Sequence, residues 1–558
     1  MSTWAHSQFY RRVLALATIL LSVVVIMVLR LAYWQVESPI SASADDLNGQ
    51  PENFRPVRGN IYDCHGYLLA VATTVYDIGA APHNIKDPFL VADRLSAALG
   101  EPRDKLLKLL QQDSLHVPLK RGVSQVVRDS IMQWGQGMLQ ADRRPGRVYP
   151  HGTLAACVLG FVKDDGQGHY GLEGYYNDLL SGQPGFRLAD RDPLGSLRYH
   201  FRAPHDGADL YLTLDRNVQY IVEEALAQAV TSSGAKKGVV IVMDPGSGAI
   251  LAMAAYPTYD PNTRDIEDKS VFLNPAVNDQ YEPGSVFKII TIASALDAGA
   301  ITPSTTYYDS GKIIVGGREI MNSDRQAHGQ TSMYDLVAYS LNVGAAHVST
   351  SLGALKFYQY VRRFGFGELT GVDLAGEISG HVRLPGDPEW HESDLGTNSF
   401  GQGIAVTPLQ MLCAVSAVAN HGVLMRPYIV SRIVDGDKVT EIAPRMVRRV
   451  ISAEAAAQTT EMLVYTVDKV STTAAVRGYS VAGKSGTAQV PTPGGYDPQE
   501  TIASFAGYVP AEEPRFAVLV VLDRPQKEHW GGRVAAPVFQ TIVQQLVTLL
   551  GVPPDRAQ

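Results

Sequence analysis

The run Ile289-Ile290-Thr291-Ile292-Ala293-Ser294-Ala295-Leu296 is apolar on nearly every side of a helical projection. Such a helix has to be covered all round, so it belongs in the middle of a domain. It follows Tyr281-Glu282-Pro283-Gly284, where Pro-Gly marks a turn, and its first turn holds Ser285 and Lys288. Residues three apart share a helix face. A serine hydroxyl and a lysine amine therefore stand together at the mouth of a buried helix, the pairing a nucleophile and its base need. The same Ser-x-x-Lys pattern recurs at Ser233-Gly234-Ala235-Lys236, among polar and glycine residues with no apolar helix around it. The tetrapeptide alone does not decide between catalysis and an ordinary surface.

A chain of 558 residues exceeds one ordinary core, so two or three domains are expected. With 45% hydrophobic residues it can fold throughout. The net charge is -8 and no basic run extends beyond Arg11-Arg12 or Arg143-Arg144, which points away from a nucleic-acid partner. Three cysteines, Cys64, Cys157 and Cys413, lie far apart, with neither C-x-x-C spacing nor a His/Cys cluster of zinc type. They read as small, mostly buried thiols, and neither a metal nor a cofactor is expected.

Val13 to Leu29 is an apolar run broken only by Thr18 and Ser22, and it continues past Arg30 to Tyr33-Trp34. Residues 13–34 are long enough to span a bilayer as a helix. Arg11-Arg12 precede the run, while Glu37, Asp45 and Asp46 follow it, so residues 1–12 are expected to be a short cytoplasmic tail. Ala42-Ser43-Ala44 looks like a cleavage site but lies well past the apolar core. The expectation is an uncleaved, single-pass anchor in the cytoplasmic membrane, with the rest of the chain on its outer side.

Residues 35–205 are a mixed segment. Arg58 to Ala70 reads as strand, turn and strand, and Ala92 to Gln112 has helical spacing. His151, His169 and Asp164-Asp165 read as solvated loop residues. Composition shifts near Gly207–Asp215, and residues 206–558 are expected to form a second domain. There, a helix over Val218–Val230 precedes a hairpin of apolar strands around Asp244-Pro245-Gly246-Ser247-Gly248. A mainly helical stretch runs from 286 to about 365. Strands at Val481–Val490, Ser504–Val509 and Phe516–Leu522 then lead to a last helix, Val538–Leu550. This order gives an α+β plan with one antiparallel sheet covered by helices.

Two more clusters in the second domain carry chemistry. Between two helical runs lies Ser340-Leu341-Asn342, whose serine can pass a proton and whose asparagine can bind an amide carbonyl. Lys484-Ser485-Gly486-Thr487 sits in a strand-like run, where glycine marks a close approach of another backbone. Its lysine and hydroxyls make an edge suited to a peptide carboxylate. Ser-x-x-Lys, Ser-x-Asn and Lys-Ser-Gly, in that order, form the signature shared by penicillin-binding proteins and class A β-lactamases.

The chain resembles the class B penicillin-binding proteins, bitopic peptidoglycan transpeptidases, over nearly its whole length. Besides the three clusters, Arg58–Asp63 with Gly66, Val158-Leu159-Gly160-Phe161 and Gly171-Leu172-Glu173 resemble the family's pedestal, or dimerisation, domain. Cys64-His65 stands where the family usually has Arg-Asn or a similar polar pair. Ser399–Gly403 and Gly531–Phe539 resemble its catalytic domain. The wording of Ser399–Gly403 and Ser504–Pro510 is closer to the division branch than to the elongation branch. The resemblance implies Ser285 as nucleophile, Lys288 as its base, Ser340 as proton relay, and Asn342, Lys484, Ser485, Gly486 and Thr487 as substrate contacts. The backbone N–H groups of Ser285 and Thr487 would form the oxyanion hole. It also implies β-lactams as covalent inhibitors, peptidoglycan stem peptides as substrate, and a polytopic membrane glycosyltransferase and other cell-wall synthesis proteins as partners. An elongation-type transpeptidase, a membrane-anchored β-lactam sensor and a β-lactamase-like protein remain alternatives. The last lacks support from any Glu-x-x-Leu-Asn segment between Asn342 and Lys484.

Overall fold

A computed structural model describes residues 17, 18, 20–30, 52–191, 197–263, 266–492 and 494–556. The chain forms two compact units: the described residues up to Pro56 with Gln183–His205, and Val57–Gly182 with Asp206 onward. In the first unit Glu52–Phe54, Gly185–Arg191 and Leu197–Arg202 make a three-stranded antiparallel sheet. Phe54 meets Phe201 edge-on across it, at 5.9 Å between ring centroids. Residues 20–30 are helical. Among the described residues no helix is long and apolar enough to cross a membrane. The expected tail 1–12, both ends of the expected span and Ala42-Ser43-Ala44 lie outside the described residues.

The larger unit is built on two sheets. One has the order Lys438–Glu441, Val430–Asp435, Asp209–Leu212, Ile61–Tyr62, Leu68–Ala80, Val117–Val123, with Leu139–Val148 also paired to Leu68–Ala80. This sheet carries strands from both sides of residue 206, because Asp209–Leu212 runs parallel to Ile61–Tyr62 and antiparallel to Val430–Asp435. Behind it, Glu173 is fully buried between Arg58, at 2.7 Å, and Arg147, at 2.6 Å. The helical spacing of 92–112 resolves into two helices, Pro88–Leu99 and Arg103–Leu110. The first ends at Gly100, which is left-handed at φ 65°, and Pro102 stands just ahead of the second.

The second sheet is the core of the part that follows residue 206. Its strands are β1 (Lys237–Met243), β2 (Ile250–Tyr256), β3 (Ala482–Thr492), β4 (Gly495–Val509) and β5 (Phe516–Asp523), in the order β2-β1-β5-β4-β3 and antiparallel throughout. Both faces are covered, so the strands read as continuous apolar runs rather than as apolar–polar alternation. Val240, Val242, Val518, Val520 and Phe505 pack against α1 (Arg216–Ser233) and α7 (Gly531–Leu549). Ile241, Met243, Leu519 and Val521 face the opposite layer. That layer contains α2 (Lys288–Asp297), α3 (Met333–Ala338), α4 (Asn342–Leu352), α5 (Pro408–Ala419) and α6 (Ala453–Lys469). α2 is buried from Lys288 to Leu296, as its all-round apolar surface requires.

Two expectations need correcting. The stretch after α2 is not mainly helical: two small sheets, Thr306–Asp309 with Gly329–Ser332 and Lys312–Val315 with Arg318–Met321, precede α3. Tyr307, Val315 and Ile320 are buried, so these short alternating segments earn strand pairing by packing one face inward. The last helix starts at Gly531, not Val538, and carries Pro537 inside it. Proline usually ends a helix; here Ala535, Ala536 and Phe539 are fully buried, and that packing on the sheet overrides the lost hydrogen bond.

Candidate active site

Three elements converge beside the edge strand β3. The turn Gly284–Phe287 is a single 3₁₀ turn leading straight into α2, and it presents Ser285 half-buried at its start. Gly284 has φ 55°, and a Cβ there would stand 3.0 Å from the Thr487 carbonyl oxygen. A Cβ on Gly486 would fall 2.5 Å from Ser504 Oγ, 2.9 Å from the Pro283 carbonyl oxygen and 2.9 Å from Val286 Cγ2. Glycine at these two positions lets the turn that carries Ser285 lie directly on β3.

Lys288, at the head of α2, is fully buried. Its Nζ donates to the Ser340 carbonyl oxygen at 2.5 Å, to Ser340 Oγ at 3.2 Å and to Asn342 Oδ1 at 2.8 Å. Ser340 sits in the link between α3 and α4 with φ 61°, a left-handed conformation that costs a non-glycine residue about 1–3 kcal/mol. Two contacts hold it there: the Lys288 amine on its carbonyl, and the next residue, Leu341, whose N–H donates to Leu336 O at 3.0 Å. Asn342 opens α4, and its Nδ2 donates to Met321 O at 3.2 Å.

Lys484, on β3, is also buried, and its one hydrogen bond among the described residues goes to Ser485 O at 3.0 Å. Neither lysine has a carboxylate partner among the described residues. Burial first, and the neighbouring Lys484 cation second, hold the Lys288 amine well below the usual lysine range. Burial alone brings Lys484 down to about 7. Thr487 Oγ1 accepts from the Gly531 N–H at 3.0 Å, so the amino end of α7 abuts the Lys-Ser-Gly-Thr segment.

Ser285 and Lys288 at the head of α2, Ser340 and Asn342 at the α3–α4 link, and Lys484, Ser485, Gly486 and Thr487 on β3 itself thus come together at one strand edge. Among the described residues the Ser285 hydroxyl makes no hydrogen bond, and Lys288 is turned to Ser340 and Asn342 instead. The second Ser-x-x-Lys is a helix end: Ser233 Oγ donates to Ala229 O at 2.6 Å, Gly234 caps α1, and Lys236 pairs with Glu500 at 2.7 Å. A cavity of about 630 Å³ lies to one side, lined by Tyr281, Glu282, His381, Arg383, Val490 and Arg524; none of the eight residues lines it.

Two supports escaped the sequence reading. Phe400 places its ring centroid 5.9 Å from Lys288 Nζ, and Glu282 accepts from Gly403 N–H at 2.9 Å and from the Tyr496 hydroxyl at 3.0 Å. Both lie in segments whose wording was noticed; neither carried a spacing that would reveal its partner.

Residues 54–212 match the penicillin-binding protein dimerisation domain, and residues 238–544 match the penicillin binding protein transpeptidase domain. Stage V sporulation protein D of Bacillus subtilis is 33% identical, covering 97% of this chain and 86% of its own length. The probable peptidoglycan D,D-transpeptidase PbpC of Pseudomonas aeruginosa is 32% identical over 95% of this chain and 93% of its own. The crystal structure of penicillin binding protein 3 from Mycobacterium tuberculosis, complexed with aztreonam, superposes with a TM-score of 0.72 at 28% identity, covering 90% of this chain and 98% of that one. Fold and site together define a penicillin-binding protein with a transpeptidase domain. More narrowly, the chain belongs to the class B penicillin-binding proteins.

Proposed function

We propose that the protein is a D,D-transpeptidase that crosslinks peptidoglycan stem peptides through an ester on Ser285. The observation that carries this reading is a buried lysine amine held between Ser340 and Asn342, one turn from the Ser285 hydroxyl, with no counter-ion to the amine and no partner to the hydroxyl among the described residues. Burial and the neighbouring Lys484 push a lysine so placed toward its neutral form, the form that can accept a proton.

In the first step Ser285 Oγ attacks the carbonyl carbon of the penultimate D-Ala while its proton passes to Lys288. The tetrahedral intermediate collapses by breaking the amide bond. The proton returns through Ser340 to the departing nitrogen of the terminal D-Ala. In the second step the amine of a neighbouring stem peptide attacks the ester carbon, loses a proton to Lys288 and frees Ser285. Asn342 holds the substrate amide. Lys484, Ser485 and Thr487 bind the carboxylate.

The oxyanion donors in this reading are the N–H groups of Thr487 and Ser285, as the family resemblance implies. The Thr487 backbone lies against the turn that carries Ser285, its carbonyl oxygen 3.0 Å from where a Cβ on Gly284 would stand, which brings the two assigned donors close together. Such fixed donors commonly supply the largest share of acyl-transfer catalysis.

We further infer that residues 13–34 anchor the protein in the cytoplasmic membrane, with the catalytic unit outside and a polytopic glycosyltransferase as partner. The helical residues 20–30 support the anchor: Leu20, Leu21, Val23–Leu29 are all exposed, an apolar surface that water would not tolerate. A septal role rests on the wording of Ser399–Gly403 and Ser504–Pro510.

The test is crosslinking of lipid-linked precursor in the presence of such a glycosyltransferase. Crosslinked muropeptide dimers and free D-alanine are expected, and both should vanish with Ser285→Ala. Hydrolysed, uncrosslinked stem peptides as the sole product would contradict transpeptidation.

A further inference from the structure

Cys64 and His65 form the tip of the hairpin between Ile61–Tyr62 and Leu68–Ala80. Asp215, 150 positions beyond His65, caps the amino end of α1. The fold locks these two segments together. Cys64 N–H donates to Leu214 O at 3.0 Å, and Asp63 Oδ2 accepts from Arg216 N–H at 3.3 Å. The Cys64 thiol, the His65 ring and the Asp215 carboxylate each bring one ligand atom into a group spanning 4.8 Å or less.

We propose that Cys64, His65 and Asp215 form a binding site for a divalent cation of the zinc type, which clasps the hairpin tip to the head of α1. A thiolate, an imidazole and a carboxylate are a donor set that zinc accepts. Its bond lengths to S, N and O imply tetrahedral edges of about 3.3–3.6 Å. The edge from His65 Nε2 to Asp215 Oδ2 is 3.0 Å already, so the cation replaces that hydrogen bond with two coordinate bonds.

The surroundings orient the ligands. Asp215 Oδ1 accepts from the N–H groups of Asn217, at 2.7 Å, and Val218, at 3.4 Å, which leaves Oδ2 for the site. Asp63, fully buried, accepts from His65 N–H at 2.9 Å and Tyr67 N–H at 2.8 Å and adds a second negative charge. Outer contacts of this kind set ligand direction and strengthen binding. The neighbouring cation, Arg216, lies over the Tyr67 ring at 4.1 Å. Cys64 and His65 are exposed, so the fourth position opens to water. As the S–metal bond forms, the thiol proton leaves to solvent.

The full chain, dialysed against chelator, is titrated with Co²⁺ as a spectroscopic probe and then with Zn²⁺. One Co²⁺ per chain is expected, with a thiolate-to-cobalt charge-transfer band that Zn²⁺ abolishes. Cys157 and Cys413 are buried and contribute nothing to that band. Cys64→Ser should remove it. Asp215→Asn, which keeps a capping side chain, should weaken binding at least about tenfold. Covalent labelling by penicillin, measured alongside, reports that each variant is folded. No thiolate band, a band that survives Cys64→Ser, or equal affinity in all variants overturns the proposal.

Discussion

Replacing Gly486 by alanine probes how closely the turn that carries Ser285 must lie on β3. The added Cβ meets Ser504 Oγ at 2.5 Å, Pro283 O at 2.9 Å and Val286 Cγ2 at 2.9 Å, where ordinary contacts begin at 3.4 Å. The Ser504 hydroxyl can rotate away. Pro283 O cannot, because it is the backbone of the turn that carries Ser285. Restoring contact distance therefore moves the strand and the turn apart by about half an ångström. Forcing one carbon into a packed site costs about 1–3 kcal/mol, which a unit of this size survives folded. Catalysis is less forgiving, since a misplacement of about 1 Å costs about a hundredfold. For Gly486→Ala the expected loss in the second-order rate of penicillin acylation is about tenfold or more, with a urea midpoint only modestly lowered. The double variant with Ser504→Ala should recover stability but little of the rate, because Pro283 O remains. Acylation within about threefold of the parent would refute the argument that this approach positions Ser285.

Three further outcomes follow from the same structure. Because the Lys288 amine is held well below the ordinary lysine range, acylation should rise with pH through that lowered value; Lys484→Met, by removing the neighbouring cation, should move this limb to higher pH, and an unmoved limb counts against the coupling. Lys484 is held at about 7 when folded and near 10.4 when unfolded, so between those values the unfolded chain keeps a proton that the native state releases. Its contribution to stability should therefore increase with pH across that window, by up to about 1.4 kcal/mol per pH unit, and stay flat below about 7; urea unfolding of parent and Lys484→Met at a series of pH values would show the gap changing with that sign. Glu173→Gln leaves Arg58 and Arg147 without their buried carboxylate and should cost about 3–5 kcal/mol in unfolding free energy, while a loss under about 1 kcal/mol would mean the ion group is dispensable.

The buried helix α2 was legible in sequence because being apolar on all sides leaves one place for it, and Ser285 and Lys288 come with it. Ser340-Asn342 and Lys484-Thr487 were legible as types, and the order of the clusters supplied their relation. The contacts that complete the site were not. Thr487 meets Gly531 through a helix that runs across Pro537, a residue that reads as a helix start when packing is unseen. Cys64 and His65 show no ligand spacing, since their third partner, Asp215, arrives through a parallel pairing of Ile61–Tyr62 with Asp209–Leu212. Long-range pairing of that kind also hides the sheet that crosses residue 206. Short strands such as Lys312–Val315 gain their state from burial of one face, which local propensity does not encode.

The central claim is that Ser285 is the acylated residue, and mass spectrometry of the protein after exposure to penicillin tests it most directly. One adduct per chain is expected, mapped to the peptide containing Ser285, persistent over hours and absent from Ser285→Ala. An adduct mapped elsewhere, or one undiminished in Ser285→Ala, would contradict the account.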